Sequence, residues 1–135
     1  MTEVTLFHML ALYRQARRLT KNQETHVFDR FLPKVLDTRK VAILGLGAIA
    51  EHMAQTFKAL GMIVYGISRT ERTIAGIDKV FSRENINEAV EDVDFLVVLV
   101  PYGTDTDKIV NAETFKSMKS SAHLINVARG GVVDE

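Results

Sequence analysis

A glycine-rich stretch, Gly45-Leu46-Gly47-Ala48-Ile49-Ala50, contains the residue types needed to bind a phosphate group. Gly45 permits a tight turn, and Gly47 removes the Cβ that would keep the backbone away from an anion. Ala50 stands where a third glycine is common and is still small enough for close helix–strand packing. A helix that begins at Ala48 would direct free N–H groups and the positive end of its dipole at the phosphates. The spacing predicts a dinucleotide site in which Gly45 forms the turn, Gly47 clears the way for the pyrophosphate, and the start of the helix holds it.

The residues on either side supply the strand and helix that such a site requires. Residues 41–44 form a continuous apolar run, which is typical of a strand buried on both faces of a parallel sheet. Ala48 to about Leu60 has an apolar stripe at helical spacing, and Gly61 is placed to end that helix. Met62–Ile67 then predicts a second strand.

The rest of the chain continues this alternation, which predicts an α/β, doubly wound parallel sheet of the Rossmann type in three layers. A long helix over Thr2 to about Lys21, capped by Thr2, is expected to precede it, followed by a connector over residues 22–38. The remaining predictions are strands at Val80–Phe81, Phe95–Val100 and Ala122–Val127, and helices at Ile86–Val90 and, in one or two pieces, Thr106–Met118.

Composition restricts the class of protein. The length of 135 residues fits one domain, and 47% apolar with 25% charged residues is ordinary for a soluble globular chain. The formal net charge of 0 argues against binding to nucleic acid or to an anionic membrane. No cysteine is present, so disulfides and thiolate metal sites are excluded, and a cytoplasmic location is expected. No apolar run approaches the ~20 residues of a bilayer crossing.

The end of the second predicted strand favours NADP(H) over NAD(H). An acidic residue that holds the adenosine ribose is expected there, ~20 residues after the glycines. The sequence instead has Ser68, Arg69 and Thr70, with Arg72 close behind. A carboxylate would repel a 2′-phosphate, whereas a guanidinium binds phosphate in a bidentate manner. The alternative is that Arg69 and Arg72 are solvated loop charges and that NAD is bound.

Several segments carry a family resemblance over nearly the whole chain. The stretch Asn126-Val127-Ala128-Arg129-Gly130-Gly131-Val132-Val133-Asp134-Glu135 is the most specific, and residues 1–14, 41–50, 57–62 and 92–101 add to it. Together they resemble the cofactor domain of the D-isomer-specific 2-hydroxyacid dehydrogenases. The resemblance implies transfer of hydride between NAD(P)H and a small 2-keto or 2-hydroxy acid.

The resemblance also implies roles for individual residues. Ala48 and Ile49 would lie against the pyrophosphate, and Ser68 falls where the NAD-preferring members have Asp. Val100, Pro101 and the loop to Thr106 would line the nicotinamide side. Val127 and Ala128 would pass along the nicotinamide ribose. Arg129 falls on the family's substrate-binding arginine, whose planar fork suits the carboxylate of the substrate. The loop departs from the family pattern, because Gly103 replaces a threonine.

The family's catalytic histidine and its carboxylate partner follow the arginine motif at a distance that this sequence does not reach. We therefore expect residues 1–135 to be a single, incomplete nucleotide-binding domain without the substrate domain, inactive by itself. His8, His26, His52 and His123 are expected to be structural or solvated. The resemblance further implies a homodimer formed through the first helix. A non-catalytic, protein-interacting module that senses NAD(P) is the alternative function.

Overall fold

The computed structural model describes residues 1–70 and 72–135. Five parallel strands form one sheet in the order β3-β2-β1-β4-β5. The strands are β1 (Lys40–Leu44), β2 (Ile63–Ser68), β3 (Lys79–Ser82), β4 (Phe95–Val98) and β5 (His123–Asn126). The helices are α1 (Thr2–Tyr13), α2 (Ala16–Glu24), α3 (Ala48–Ala59), α4 (Ile86–Val90) and α5 (Ala112–Ser117). The predicted α/β Rossmann-type fold is confirmed.

The sheet separates two apolar cores, which gives the three layers. On one face, Met9 and Tyr13 of α1 and Phe57 of α3 pack against the sheet. On the other face, Ile86 and Val90 of α4 lie in the second core. All four residues of β4 are buried, and only the first residue of β1 is partly exposed, so the apolar runs are the centre of the sheet.

The prediction of one long N-terminal helix is wrong, because the chain forms two helices that break at Gln15. Gln15 adopts a left-handed conformation with φ of 53°. Thr2 does not cap α1 as predicted; Met1 is the cap residue, and within the described residues no side chain makes a capping hydrogen bond to it.

The helix predicted over Thr106–Met118 is also too long. Residues 104–108 form turns, and Val110 makes a parallel bridge with Val133. α5 begins only after Asn111, whose Oδ1 accepts hydrogen bonds from the amides of Glu113 and Thr114 at 2.9 and 3.3 Å. The later strands agree with prediction to within two residues at each end. Among the described residues, none of the helices combines the length and apolar character needed to cross a bilayer.

Candidate functional site

The predicted phosphate turn joins the carboxyl end of β1 to the first turn of α3. Gly45 has φ of +102°, a backbone conformation that residues with a side chain rarely adopt, and its amide donates to the Ile67 carbonyl at 2.9 Å. A Cβ built on Gly45 would lie 2.9 Å from Val100 Cγ1. The turn therefore needs glycine here both for its backbone angle and for close contact with the segment after β4.

Gly47 and the first turn of α3 face open space. Gly47 precedes α3 with extended backbone, and a Cβ on it would meet no atom within 4 Å. No side chain of the described residues caps the helix. Its first amides are consequently directed, with the positive end of a 12-residue helix, into the adjacent cavity. Glu51 lies in this first turn and is exposed.

This first cavity, of about 650 Å³, runs from the glycine turn to the ends of β2 and β3. The predicted residues that line it are Gly45, Gly47, Ala48, Ile49, Ser68, Arg69, Thr70, Val100, Pro101 and Thr106. Arg72, Arg83 and Asp105 line it as well. The structure thus brings the glycine turn and the Ser68–Arg69 pair to one cavity, as the sequence predicts.

Arg83 was not foreseen as part of this cavity, and Asp105 was expected only within the loop on the nicotinamide side, whereas it lies beside Arg69. β2 and β3 pair with Ser68 opposite Ser82, so the arginines that follow these two serines are neighbours. Asp105 Oδ2 accepts from Arg69 Nη1 at 3.1 Å and from Arg83 Nη1 at 3.0 Å. The hydrogen bond from Arg83 lowers the pKa of the Asp105 carboxyl, and the charges of both arginines lower it as well. Desolvation raises that pKa, but the balance of these effects leaves it below its usual value.

Thr106 closes the loop that follows β4. Its buried hydroxyl donates to the Pro101 carbonyl at 2.6 Å and accepts from the Gly103 amide at 2.9 Å. The side chain therefore holds the loop in shape, and Thr106 lies on the cavity that also contains the glycine turn. The Gly103 that departs from the family pattern still takes part in this closure through its backbone.

A second cavity, of about 800 Å³, lies on the other side of the same loop. Leu99, Val100 and Pro101 line both cavities, and Ala128 and Arg129 line only the second. Val127 packs against the apolar core instead of facing this space. Residues 99–101 thus stand between a space that contains the glycine turn and one that contains an arginine.

Arg129 is exposed and is held by a local turn. The Asn126 amide group accepts from the Ala128 backbone at 2.9 Å and donates to the Arg129 carbonyl at 3.1 Å. Beyond it, the Lys108 amide donates to the Gly131 carbonyl at 2.8 Å. These bonds fix the backbone on both sides of Arg129 and leave its guanidinium at the edge of the second cavity.

The four histidines lie away from both cavities. His123 begins β5, at the opposite end of the sheet from the glycine turn. Burial lowers the pKa of His123, the charge of Lys34 adds to that shift, and Asp94 opposes it. His8, His26 and His52 are exposed. No histidine among the described residues is positioned to exchange a proton beside Arg129.

The two adjoining cavities fit an extended dinucleotide. Each is within the range of typical cofactor sites, and the amides of α3 lie at the opening of the first. The open space beside Gly47 is where a backbone must approach a diphosphate without obstruction. The residues that are present can accordingly hold such a cofactor.

Comparison with known proteins agrees with this geometry. The sequence profile of the D-isomer specific 2-hydroxyacid dehydrogenase NAD-binding domain matches residues 6–135. The D-lactate dehydrogenase of Streptococcus pyogenes is 31% identical over 137 residues, covering 98% of this chain and 41% of that protein. The chain thus spans about two fifths of that relative.

Solved structures show the same likeness. A D-isomer specific 2-hydroxyacid dehydrogenase family protein from Aeromonas salmonicida superimposes with a TM-score of 0.93 at 33% identity, over 99% of this chain and 43% of that one. The NADPH-dependent glyoxylate/hydroxypyruvate reductase of Sinorhizobium meliloti, in complex with NADP and sulfate, gives 0.89 at 27% identity, over 98% and 43%. Fold, glycine turn and sequence profile agree: the chain belongs to the D-isomer-specific 2-hydroxyacid dehydrogenase family and corresponds to its NAD(P)-binding domain.

Proposed function

We propose that this chain is the cofactor domain of an NADP-dependent reductase of small 2-keto acids. One observation carries the proposal: a single loop, Leu99–Pro101, separates a cavity with a helix N-terminus and three arginines from a cavity with Arg129. A diphosphate and an adenosine 2′-phosphate suit the first, and the carboxylate of a 2-keto acid suits the second. A nicotinamide cofactor supplies the hydride when it is bound.

In this proposal the chain's own residues bind and orient. The amides of Ala48 and Ile49 hold the pyrophosphate, and Ser68, Arg69 and Thr70 hold the phosphorylated ribose. Arg129 binds the substrate carboxylate through its planar fork and stabilises negative charge that develops on the carbonyl oxygen. The position of Arg129 on the second cavity favours a reductase over a module that only senses NAD(P).

The preference for NADP rests on Arg69 and Arg72, which lie at the end of β2 where an NAD-specific site has a carboxylate. The Sinorhizobium meliloti reductase, which shares the fold, has been solved in complex with NADP. We expect a fluorescence titration of the purified chain to show NADPH binding roughly tenfold more tightly than NADH, since phosphate adds charge-assisted hydrogen bonds. Tighter binding of NADH would contradict this choice of cofactor.

We assign proton transfer to none of the histidines of the described residues, because they lie away from Arg129. Residues 1–135 are therefore proposed as a single cofactor domain that turns over slowly or not at all alone. An assay with NADPH and glyoxylate or hydroxypyruvate tests this, and robust turnover would contradict it. We also propose a homodimer formed through the exposed apolar face of α1.

A further inference from the structure

The cluster formed by Arg69, Arg83 and Asp105 lines the first cavity together with the glycine turn. Three separate segments bring it together: the loop after β2, the turn after β3 and the loop after β4. One carboxylate oxygen, Asp105 Oδ2, accepts from both guanidiniums at 3.0 and 3.1 Å. Two positive charges share one negative charge, so the cluster keeps a net charge of +1.

Arg83 differs from Arg69 in how firmly it is placed. Its side chain is 19% exposed, against 71% for Arg69. Its Nε is buried and has no hydrogen-bond partner within the described residues. Arg83 also begins a short 3₁₀ helix whose cap residue, Ser82, accepts from the Glu84 amide at 3.4 Å. The Arg83 guanidinium is therefore a well-positioned cation that lines the cavity, and its Nε–H can still donate a hydrogen bond.

The bond to Asp105 is one that a stronger anion can replace. The Asp105 side chain is 57% exposed, and exposed ion pairs contribute little to stability. A phosphate monoester carries about −1.5 to −2 charges and three acceptor oxygens, so it satisfies two guanidiniums better than one carboxylate does.

We propose that Arg83 and Arg69 together bind the 2′-phosphate of NADP(H), and that Asp105 occupies the same two guanidiniums in its absence. Asp105 thereby sets how strongly the site distinguishes a phosphorylated ribose from an unphosphorylated one. The inference rests on the proposed function, because it assigns one end of that same cofactor site. It adds a residue that the pattern after β2 does not reveal, and a competing anion within the chain.

The test uses two probes that differ by one phosphate, adenosine 2′,5′-bisphosphate and adenosine 5′-monophosphate, titrated against the purified chain by calorimetry. Arg83→Gln should weaken binding of the bisphosphate roughly tenfold or more and leave the monophosphate within about twofold. Asp105→Asn should tighten the bisphosphate by up to about fivefold, with the monophosphate unchanged.

Two matched controls separate this role from general charge. Lys79→Gln removes a cation from β3 that pairs with Glu88, and Lys79 does not line the cavity. Asp107→Asn removes a carboxylate from the same loop as Asp105, where it accepts from Tyr102. Both variants should keep the wild-type ratio of the two probes. Circular dichroism of each variant establishes that the fold is retained.

Three outcomes overturn the inference. If Arg83→Gln weakens both probes equally, Arg83 holds the loop or the adenosine and not the phosphate. If Asp105→Asn weakens the bisphosphate, Asp105 positions the arginines and does not compete. If the wild-type chain binds neither probe, the proposed function fails together with the inference, whereas binding of both probes with a ratio unchanged in Arg83→Gln removes the inference alone.

Discussion

Two glycines of one turn, only two residues apart, have different physical roles. A side chain on Gly45 would have both an unfavourable φ of +102° and contacts of 2.9 Å with Val100. A side chain on Gly47 would meet nothing in the protein and would project into the cavity instead. The same substitution at the two sites therefore separates folding from cofactor binding.

We expect Gly45→Ala to lower the free energy of unfolding by about 2 kcal/mol or more, because it adds backbone strain to steric overlap. Gly47→Ala should leave that free energy within about 0.5 kcal/mol of the wild type or raise it slightly, since its backbone is extended. Gly47→Ala should nevertheless weaken NADPH binding at least tenfold, because the methyl group obstructs the diphosphate. Urea denaturation and fluorescence titration measure the two effects separately.

Each glycine variant serves as the control for the other. If Gly47→Ala binds NADPH as the wild type does, the diphosphate does not lie over this turn. If Gly45→Ala is as stable as the wild type, the segment after β4 moves to make room, and close packing at Val100 is not required.

The glycine turn and Arg129 were predictable as single residues, whereas Arg83 was not. The turn can be recognised in the sequence because its glycines lie between the pattern of a strand and the pattern of a helix. Arg83 joins the cavity only because β3 pairs with β2 in the register that sets Ser82 beside Ser68. A four-residue strand carries too weak a pattern to fix that register from sequence. The turn at Asn126 that fixes Arg129 likewise depends on hydrogen bonds that composition does not reveal.

Among the elements, the long N-terminal helix was predicted wrongly because tertiary contacts outweigh the helical pattern. The Tyr13 carbonyl, which a continuous helix would use four residues on, accepts from the Lys34 amide at 3.1 Å. Gln15 turns the chain with a left-handed conformation that its residue type does not signal. The central strands and α3 were predicted correctly, because the strands are buried apolar runs and α3, which ends at Ala59, is followed by Gly61 with φ of +77°.

Asp78, the residue before β3, links α3 to β2 through hydrogen bonds of its side chain. Its carboxylate accepts from Lys58 Nζ at 2.8 and 3.1 Å and from the Val64 amide at 2.8 Å. Burial raises the pKa of Asp78, but the hydrogen bonds from Lys58 and Val64 outweigh it and hold the pKa below its usual value. Because the pKa is lowered on folding, the ionised Asp78 carboxylate stabilises the folded state. This stabilisation is present above the unfolded-state pKa and is lost as the pH falls through the folded-state pKa.

We expect Asp78→Asn to lower the free energy of unfolding by about 1 kcal/mol at pH 7, a value reduced by the partial exposure of the pair. The difference from the wild type should start to shrink as the pH falls below about 4, where the unfolded-state carboxyl takes up its proton, and should be lost once the pH has fallen through the lower folded-state pKa. Urea denaturation followed by circular dichroism at pH 7, 5 and 3 measures it.

Asp92→Asn is the control for Asp78→Asn. Asp92 pairs with Lys40 on the surface and makes no hydrogen bond to the backbone, as far as the described residues show. Its replacement should change stability by less than about 0.5 kcal/mol. An Asp78→Asn effect of the same size at every pH would show that its charge plays no part.

At the scale of the whole molecule, the fold leaves a groove beside β5 uncovered. It measures about 960 Å³, and its apolar lining comes from Phe7, Ala11 and Leu12 of α1 and from Leu124 and Ile125 of β5, beside charged residues of α2. Phe7 is 66% exposed and Leu12 is 43% exposed. Within the described residues β5 is also an edge strand of the sheet, and an edge strand offers its backbone groups for pairing with another chain. A second copy of α1 is the occupant that we propose.

We expect light scattering at micromolar concentration to give the mass of a dimer, and the double substitution Phe7→Glu with Leu12→Glu to give a monomer. Four carboxylates would then face one another across the contact in place of apolar side chains, which removes the gain from burial and adds repulsion. Phe115→Glu on α5 is the control, because Phe115 is also exposed at 40% but lies outside the groove. A monomeric wild type would contradict the proposal, and a dimer that survives the double substitution would place the contact elsewhere. Because the groove is separate from both cavities, the monomeric variant should still bind NADPH as the wild type does, which distinguishes loss of assembly from loss of fold.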